Sequence, residues 1–341
     1  MAKCRVLFLC KSGQGYGEQP YHRKFSGLLN STKFVAKALN EDENIKAEVR
    51  VIVDANAIDR ELADFKPQLC VLEALWVPPA KFDELRPLHP KVKFYVRLHS
   101  DIPFLSHEGM AVEWIREYLV RGVGIIANSK ETKKAIKYAI SEYQNVVFLP
   151  NPYEKVSHKR KKDKTPYLAI GCFGAIRPLK NQLIQAIAAF KVADEMNLPL
   201  QFNINSTRVE GNGGPILKNL RALFANHHQH LLIEHAWMDH EEFKETIKSM
   251  DLVSQVSYSE TFCMVAADAI SVGVPVVGSE EIEWLSNKSQ AKPNDVDDII
   301  EKMKRALKND MLLWFNQVWL NRHTEEASEK WIDFVIDVCR D

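Results

Sequence analysis

The stretch Ser257-Tyr-Ser-Glu-Thr-Phe-Cys-Met-Val-Ala-Ala-Asp-Ala-Ile-Ser-Val-Gly-Val-Pro-Val-Val-Gly278 decides the fold of this chain. The apolar run 252–256 before it predicts a buried β-strand, and the polar residues that follow predict a loop. A helix of small apolar residues is expected to begin near Phe262 and to end at Gly273, with the next strand starting at Val274. A strand, a loop, a helix and a second strand in this order make one unit of parallel α/β structure.

The same alternation extends over the whole chain. In the first half the strand-like runs are 6–9, 49–53, 69–72, 92–98, 123–127 and 146–149. In the second half they are 167–173, 200–205, 231–234, 252–256 and 274–277. Continuously apolar strands that alternate with helices predict parallel sheets covered on both faces. We therefore expect an α/β chain of two Rossmann-like doubly wound domains, which follow one another across the basic run 159–164.

Composition limits the classes of function. The 341 residues, 46% of them hydrophobic, are enough for two packed cores. Lys+Arg and Asp+Glu both number 45, and this balance argues against a long nucleic-acid footprint. No apolar run reaches the roughly 18 residues that a membrane-spanning helix needs, and the short apolar N-terminus fits a strand better than a signal peptide. We expect no membrane span and a cytoplasmic location.

The six cysteines, at positions 4, 10, 70, 172, 263 and 339, form no Cys-x-x-Cys pair. Most of them lie in apolar segments. Buried free thiols are therefore expected, rather than disulfides or a zinc site.

Two carboxylates mark the 257–278 stretch as chemically unusual. Glu260 lies in the loop, where its carboxylate can accept hydrogen bonds from sugar hydroxyls. The backbone N–H groups at the helix start, around Thr261–Met264, can bind a diphosphate. Asp268 follows on a mostly apolar helix and needs a partner, for which a ribose diol is a good candidate.

A second group of residues lies in Gly171-Cys-Phe-Gly-Ala-Ile-Arg-Pro-Leu-Lys-Asn-Gln182. Arg177 and Lys180 follow a predicted strand and precede a helix. Cations beside the positive end of a helix dipole are disfavoured without an anion, so this pair predicts a phosphate site.

Three further loops follow predicted strands. Gly13 and Gly15 follow the first strand without the spacing of a dinucleotide fingerprint. His99, close to Asp101, follows the strand that ends at Leu98, and Trp237 with Met238 follows a strand of the second half. Asn128-Ser129 precedes a helix, and this pair is expected to provide its N-cap.

The 257–278 and 171–182 segments resemble the signatures of retaining GT-B-fold glycosyltransferases, the family that includes glycogen synthase and sucrose-phosphate synthase. Glu260 matches the first acid of its Glu-x7-Glu pattern, and Gly273-Val-Pro-Val-Val277 matches its tail. Asp268 stands in place of the second Glu. Lys180 and Asn181 match the family's Lys-(Gly/Asn), whereas Ala175 occupies its usual Arg position and Arg177 lies two residues later.

The resemblance implies a GT-B fold whose two domains face a central cleft. It implies an acceptor domain at 1–153, a donor-nucleotide domain at 154–320, and a helix at 321–341 that packs back on the first domain. The implied activity is transfer of a sugar, with retention, from a nucleotide diphosphate sugar, a UDP-sugar being favoured. Arg177 and Lys180 would bind the leaving diphosphate, so neither a metal nor another cofactor is expected.

The resemblance also assigns expected roles to individual residues. His99 and Glu260 are the predicted catalytic residues. The predicted donor-binding residues are Gly13, Gly15, Arg177, Lys180, Trp237, Met238, Glu260, Thr261, Phe262, Cys263, Met264 and Asp268. The predicted acceptor side consists of His22, Arg23, Asp101 and His107.

Two alternatives stay open at this point, beside other enzymes of the same fold. One is the same chemistry on hydroxymethylated bases of DNA, since Lys155–Lys164 with Arg208, Lys218 and Arg221 could follow a phosphate backbone. The other is a nucleotide-sugar binding protein without catalysis. The sequence does not identify the sugar, the base, the acceptor or the oligomeric state.

Overall fold

A computed structural model describes residues 3–12, 27–141, 145–158 and 165–340. The chain forms two compact units. Unit 1 comprises Met1–Tyr153 and His323–Asp341, and unit 2 comprises Glu154–Arg322.

Unit 1 is an α/β domain with a parallel sheet in the order β2-β1-β3-β4-β5-β6. Its described elements are β1 (Cys4–Lys11), α1 (Gly27–Leu39), β2 (Ile45–Ile52), α2 (Ile58–Phe65), β3 (Leu69–Glu73), α3 (Lys81–Leu88), β4 (Lys93–Leu98), α4 (Ile102–Leu105), α5 (Ala111–Val120), β5 (Gly124–Ala127), α6 (Lys130–Ala139) and β6 (Val146–Phe148). Each apolar run that predicted a strand here overlaps one of them. The Ser129 hydroxyl accepts a hydrogen bond from Thr132 N, which confirms the predicted N-cap of α6.

Each face of the unit 1 sheet lies against a hydrophobic core. Alternate side chains of a strand point to opposite faces, so neighbouring residues of one strand belong to different cores. Leu7 and Leu9 of β1 belong to one core, and Val6 and Phe8 belong to the other. The second core includes the C-terminal part of α12 (Asp310–Arg340), a helix that begins earlier than the helix at 321–341 that the resemblance implies. Trp331 of α12 is fully buried, and its ring centroid lies 5.9 Å from that of Phe8.

A disulfide joins Cys4 of β1 to Cys339 of α12, with the two Cα atoms 6.1 Å apart. The expectation of free thiols is therefore wrong for this pair. Nothing in the local pattern of either segment signals the bond, since 335 positions separate the two residues. Cys10, Cys70, Cys172 and Cys263 are free and buried, as expected.

Unit 2 is a second parallel α/β domain, with the strand order β12-β11-β10-β7-β8-β9. Its described elements are β7 (Leu168–Gly171), α7 (Gln182–Glu195), β8 (Leu200–Asn205), α8 (Gly213–Ala225), β9 (His230–His235), α9 (His240–Lys248), β10 (Leu252–Gln255), α10 (Met264–Ser271), β11 (Val276–Ser279), β12 (Gln290–Ala291), α11 (Val296–Lys308) and the N-terminal part of α12. Its core lies between the sheet and the helices, with Ile170, Phe202 and Leu252 fully buried.

The decisive stretch folds as predicted, with shifted ends. Helix α10 begins at Met264 rather than near Phe262, because Cys263 has a left-handed backbone with φ 62°. The helix ends at Ser271, and Gly273 has φ 83°, a conformation that glycine adopts without strain. The strand β11 then starts at Val276, two residues later than predicted.

Among the described residues, no helix is both long and apolar enough to cross a membrane.

Candidate functional site

Two of the loops that carry predicted donor residues lie side by side in unit 2. After β7 the chain adds β8 and β9 on one side of the sheet, and it then returns to place β10 on the other side of β7. At such a switch point the chain leaves the two neighbouring strands in opposite directions. This leaves a crevice at their carboxyl ends, where α/β proteins bind ligands. The loops 172–181 and 256–263 therefore share the carboxyl edge of the sheet.

Backbone and amide contacts fix these two loops to each other. Tyr258 N donates to Leu179 O at 2.8 Å. Asn181, with φ 56°, donates from its side chain to Val256 O at 3.0 Å and to Pro293 O at 2.8 Å. The Gln185 side chain accepts from Val256 N at 2.8 Å. These hydrogen bonds fix the positions of the polar groups at this edge.

Lys180 and Glu260 form an ion pair at the centre of this edge. Their side chains are only 10% and 9% exposed, and Ser257 Oγ lies 3.1 Å from the same carboxylate oxygen. Gly174, with φ 110°, lies against the lysine: a Cβ at this position would be 3.6 Å from Lys180 Cε. The structure brings together the predicted diphosphate ligand and the predicted sugar ligand, in contact with each other.

Arg177 points to a different carboxylate. It precedes the 3₁₀ turn Pro178–Lys180, and its Nη1 lies 3.4 Å from Glu210 Oε2. Ile176 and Val209 form a parallel bridge that holds this segment beside the loop after β8. Glu210 is a residue that the sequence patterns did not single out.

The residues before α10 offer backbone rather than side chains. Phe262 is 3% exposed, and its carbonyl accepts from Trp284 Nε1 at 2.7 Å. Cys263 is 6% exposed, and burial together with the nearby charge of Glu260 raises the pKa of its thiol to about 12. Lys180 and Asp268 also act on this thiol, which places both of them within electrostatic range of it.

Asp268 already has a protein partner, which is His240. The two side chains are joined at 2.7 Å between Nε2 and Oδ1, with exposures of 18% for His240 and 4% for Asp268. The hydrogen bond to Asp268 raises the pKa of His240 against the opposing effect of burial. The sequence patterns missed His240; its position directly after the Trp237 loop was the available signal.

The loop after β9 is tied to the loop after β8. Trp237 N donates to Thr207 Oγ1 at 2.9 Å, and the Arg208 guanidinium lies 4.6 Å from the centroid of the Trp237 ring. Met238 Sδ accepts from Thr246 Oγ1 at 3.1 Å. Trp237 and Met238 are both half-buried, so part of each side chain faces solvent.

In unit 1, a buried polar network lies at the carboxyl ends of β3 and β4. The Arg97 guanidinium, fully buried, donates to both oxygens of Glu73 and to Ser31 Oγ. The Glu73 carboxylate also binds His99 Nε2. Burial raises the pKa of Glu73, but the charges of Arg97 and His99 outweigh this effect and hold it below its usual value. Glu73 is the functional candidate that the sequence patterns missed here.

The predicted acceptor side is only partly described. Asp101 caps α4 by accepting from Ile102 N at 2.8 Å, and it also binds the Thr132 hydroxyl. Its carboxylate therefore has a structural task, while His107 is exposed. Gly13, Gly15, His22 and Arg23 lie outside the described residues.

Charged residues that could suggest a metal site or a DNA-binding surface are engaged within the protein. Asp295 and Asp297 form an Asp-x-Asp, but Asp295 caps α11 by accepting from Asp298 N. Within the described ranges, no group of three or more His, Cys, Asp or Glu residues could hold a metal ion. Arg208 and Arg221, two cations of the DNA alternative, are ion-paired with Glu210 and Glu234.

Comparisons with known proteins agree with this architecture. The family model described as "Glycosyl transferases group 1" matches residues 154–330, and no curated protein sequence matches the chain. The structure is similar to HepE from Anabaena in complex with UDP and glucose, with a TM-score of 0.67, 13% identity, and coverage of 98% of this chain and 99% of that one.

Two other solved structures are similar over their whole length. The trehalose-6-phosphate synthase OtsA has a TM-score of 0.70 and 10% identity, with 99% of each chain covered. The sucrose-phosphate synthase of Thermosynechococcus elongatus has a TM-score of 0.66 and 11% identity, with 99% of this chain and 98% of that chain covered. These likenesses confirm the predicted two-domain α/β fold.

Proposed function

The chain belongs to the glycosyl transferases group 1 family, and on this premise we propose that it moves a sugar, with retention, from a UDP-sugar to an acceptor hydroxyl. The observation that carries the proposal is the buried Lys180–Glu260 pair at the switch point of the unit 2 sheet. It joins a cation suited to a diphosphate with a carboxylate suited to sugar hydroxyls.

The pair has a direct chemical use. An arriving diphosphate gives the Lys180 ammonium a second anionic partner, and Glu260 then accepts hydrogen bonds from the sugar. As the acceptor oxygen bonds to the anomeric carbon, the bond from that carbon to the diphosphate oxygen breaks, and negative charge grows on the leaving oxygen, which can take up the proton of the acceptor hydroxyl. A fixed ammonium in a site with little water stabilises that charge more strongly than water does.

Other groups of unit 2 support this chemistry. The first backbone N–H groups of α10 lie beside Cys263 and belong to the positive end of its dipole. We also assign Arg177 to the diphosphate. To bind it, the guanidinium exchanges its contact with Glu210 for a contact with the phosphate oxygens. With these cationic groups in place, we expect transfer to proceed without a metal or an organic cofactor.

A UDP-sugar is the first donor to test. The HepE structure contains UDP and glucose, and a TarM structure from S. aureus, with 15% identity and 78% of this chain covered, contains UDP. These ligands belong to those proteins, and they support UDP as the nucleotide proposed here. In unit 1, we assign His99, held by Glu73, to the transferred sugar or the acceptor.

A thermal-shift screen against UDP-, GDP-, ADP- and TDP-sugars tests donor binding, because a ligand of the native state raises the unfolding temperature. We expect the UDP-sugars to give the largest shift and Lys180→Ala to reduce it. Lys191→Ala is the matched control, since that side chain is 60% exposed on α7. No shift with any of the four sugar classes would overturn the proposal.

Release of UDP, measured with and without candidate acceptors, then tests catalysis. We expect turnover in the native protein and its loss in Glu260→Ala. Donor binding without turnover on sugar, lipid or hydroxymethylcytosine-DNA acceptors would instead support a binding protein.

A further inference from the structure

The His240–Asp268 pair lies where sequence reasoning placed a lone acid. We propose that His240, oriented by Asp268, contacts the ribose of the nucleotide; this inference rests on the proposed function. Asp268 thereby acts as a positioning residue, and His240 is the group that meets the ligand.

The geometry of Asp268 carries the first step. Its side chain is 4% exposed, and one carboxylate oxygen is engaged by His240 Nε2 at 2.7 Å. A glutamate would extend one methylene further from α10. The aspartate instead ends at the imidazole, and a ligand that took this carboxylate oxygen would displace His240 from a buried partner, which is costly.

The position of His240 carries the second step. It is the first residue of α9, and the Asp239 carboxylate fixes this turn by accepting from Glu242 N at 2.9 Å. The imidazole is 18% exposed, compared with 4% for Asp268, so it presents the accessible part of the pair. A carboxylate that binds one ring nitrogen of a histidine fixes the orientation of the ring and strengthens the hydrogen bond that the other ring nitrogen makes.

The order of groups in unit 2 matches the order of groups in a nucleoside diphosphate. Trp237 and Met238 lie three and two residues before His240, and flat or flexible apolar side chains suit a base. Asp268 lies on α10, the helix whose first backbone N–H groups follow Cys263 and belong to the proposed diphosphate site. A ribose lies between the base and the diphosphate of a nucleotide. We therefore assign the ribose to His240–Asp268, between the residues assigned to the base and those assigned to the diphosphate.

Paired nucleotides provide the test. Binding of UDP, 2′-deoxy-UDP and 3′-deoxy-UDP is measured by calorimetry on the full chain and on His240→Ala. We expect the native protein to prefer UDP over at least one deoxy analogue by about tenfold, the effect of one hydrogen bond. In His240→Ala this preference falls to about onefold, while His228→Ala, which changes an exposed histidine, retains it.

A second variant distinguishes the loss of a ribose contact from damage to the native structure. In His240→Ala combined with Asp268→Glu, the longer carboxylate can enter the vacated space, and we expect the preference for UDP to return. Urea unfolding of each variant confirms that the compared proteins are native.

The outcomes distinguish this inference from the proposed function. If UDP binds and His240→Ala keeps its full preference over both deoxy analogues, the inference is wrong and the donor assignment stands. An equal loss of affinity for all three nucleotides would show a purely structural role and would also overturn it. If the native protein binds no nucleoside diphosphate, both proposals fail together.

Discussion

Lys180 Nζ and the Glu260 carboxylate, 80 positions apart in sequence, meet in a pair that is about nine-tenths buried. The contact exists because β7 and β10 are neighbours in the sheet although β8 and β9 separate them along the chain. Each charge neutralises the other in the absence of a ligand. Each partner therefore keeps the other from being a buried, unpaired charge in unit 2, in addition to its part in the proposed chemistry.

Replacement of Lys180 by methionine tests the first of these contributions. The change leaves the Glu260 carboxylate buried without its cation, and breaking a buried pair costs about 3 kcal/mol. We expect urea unfolding to show a loss of this size, with Lys191→Met close to native. The double variant Lys180→Met/Glu260→Leu should recover part of the loss, because coupled residues are not additive. Additive losses would contradict the coupling.

Glu260→Gln separates binding from turnover. The amide keeps the size of the side chain and its contact with Ser257, but it loses the charge that sugar hydroxyls and the reacting centre would meet. We expect kcat for UDP-sugar turnover to fall by at least tenfold, while the affinity for free UDP does not fall, because Lys180 keeps its charge and loses its competing partner. Steady-state kinetics and calorimetry measure the two quantities. Glu245→Gln, at an exposed glutamate, is the control.

The His240–Asp268 pair predicts a pH dependence of stability. The hydrogen bond to Asp268 raises the folded-state pKa of His240 above 6.5. Its stabilising contribution is therefore present in full below pH 6.5 and is lost as pH rises through the folded-state value. Lys244 opposes this shift, and Glu241 adds to it. Urea unfolding between pH 6 and 9 should show a steeper fall in the native protein than in His240→Gln; parallel curves would contradict the assignment.

The Glu73–Arg97 pair predicts the opposite dependence. Glu73 has a folded-state pKa below its ordinary value, so its contribution is present above about pH 4.5 and is lost as pH falls through the lower, folded-state value. Glu73→Gln leaves the fully buried Arg97 without its counter-charge and should cost about 3 kcal/mol at pH 7. It should also flatten the acid limb of the stability curve. The exposed Glu131→Gln should leave that limb unchanged.

The Cys4–Cys339 disulfide closes a loop that contains nearly the whole chain. Restriction of the unfolded state by such a long loop stabilises a protein by up to about 5 kcal/mol. We expect Cys339→Ser to lower the unfolding temperature measured without reductant. Dithiothreitol should lower that of the native protein to the same value and leave the variant unchanged. Peptide mapping without reduction should show the 4–339 link, and its absence would contradict the pairing.

Local patterns predicted the architecture of this chain. Every predicted strand of unit 1 overlaps an observed one, Ser129 caps α6, and the 257–278 stretch forms strand, helix and strand in the expected order. The helix start was misplaced because the left-handed backbone of Cys263 depends on its buried surroundings. The roles of individual site residues stay predictions, with Lys180 and Glu260 now seen in contact.

The partners were beyond reach of the sequence. His240, Glu73, Glu210 and the Cys4–Cys339 bond depend on which strands and helices become neighbours, and no periodicity specifies those neighbours. Side-chain periodicity and capping depend on residues two to four positions apart, so the sequence alone determined the elements and the fold class. Buried charges must find partners wherever the chain brings them, so only the tertiary structure decided that Asp268 binds a histidine and that Lys180 meets Glu260.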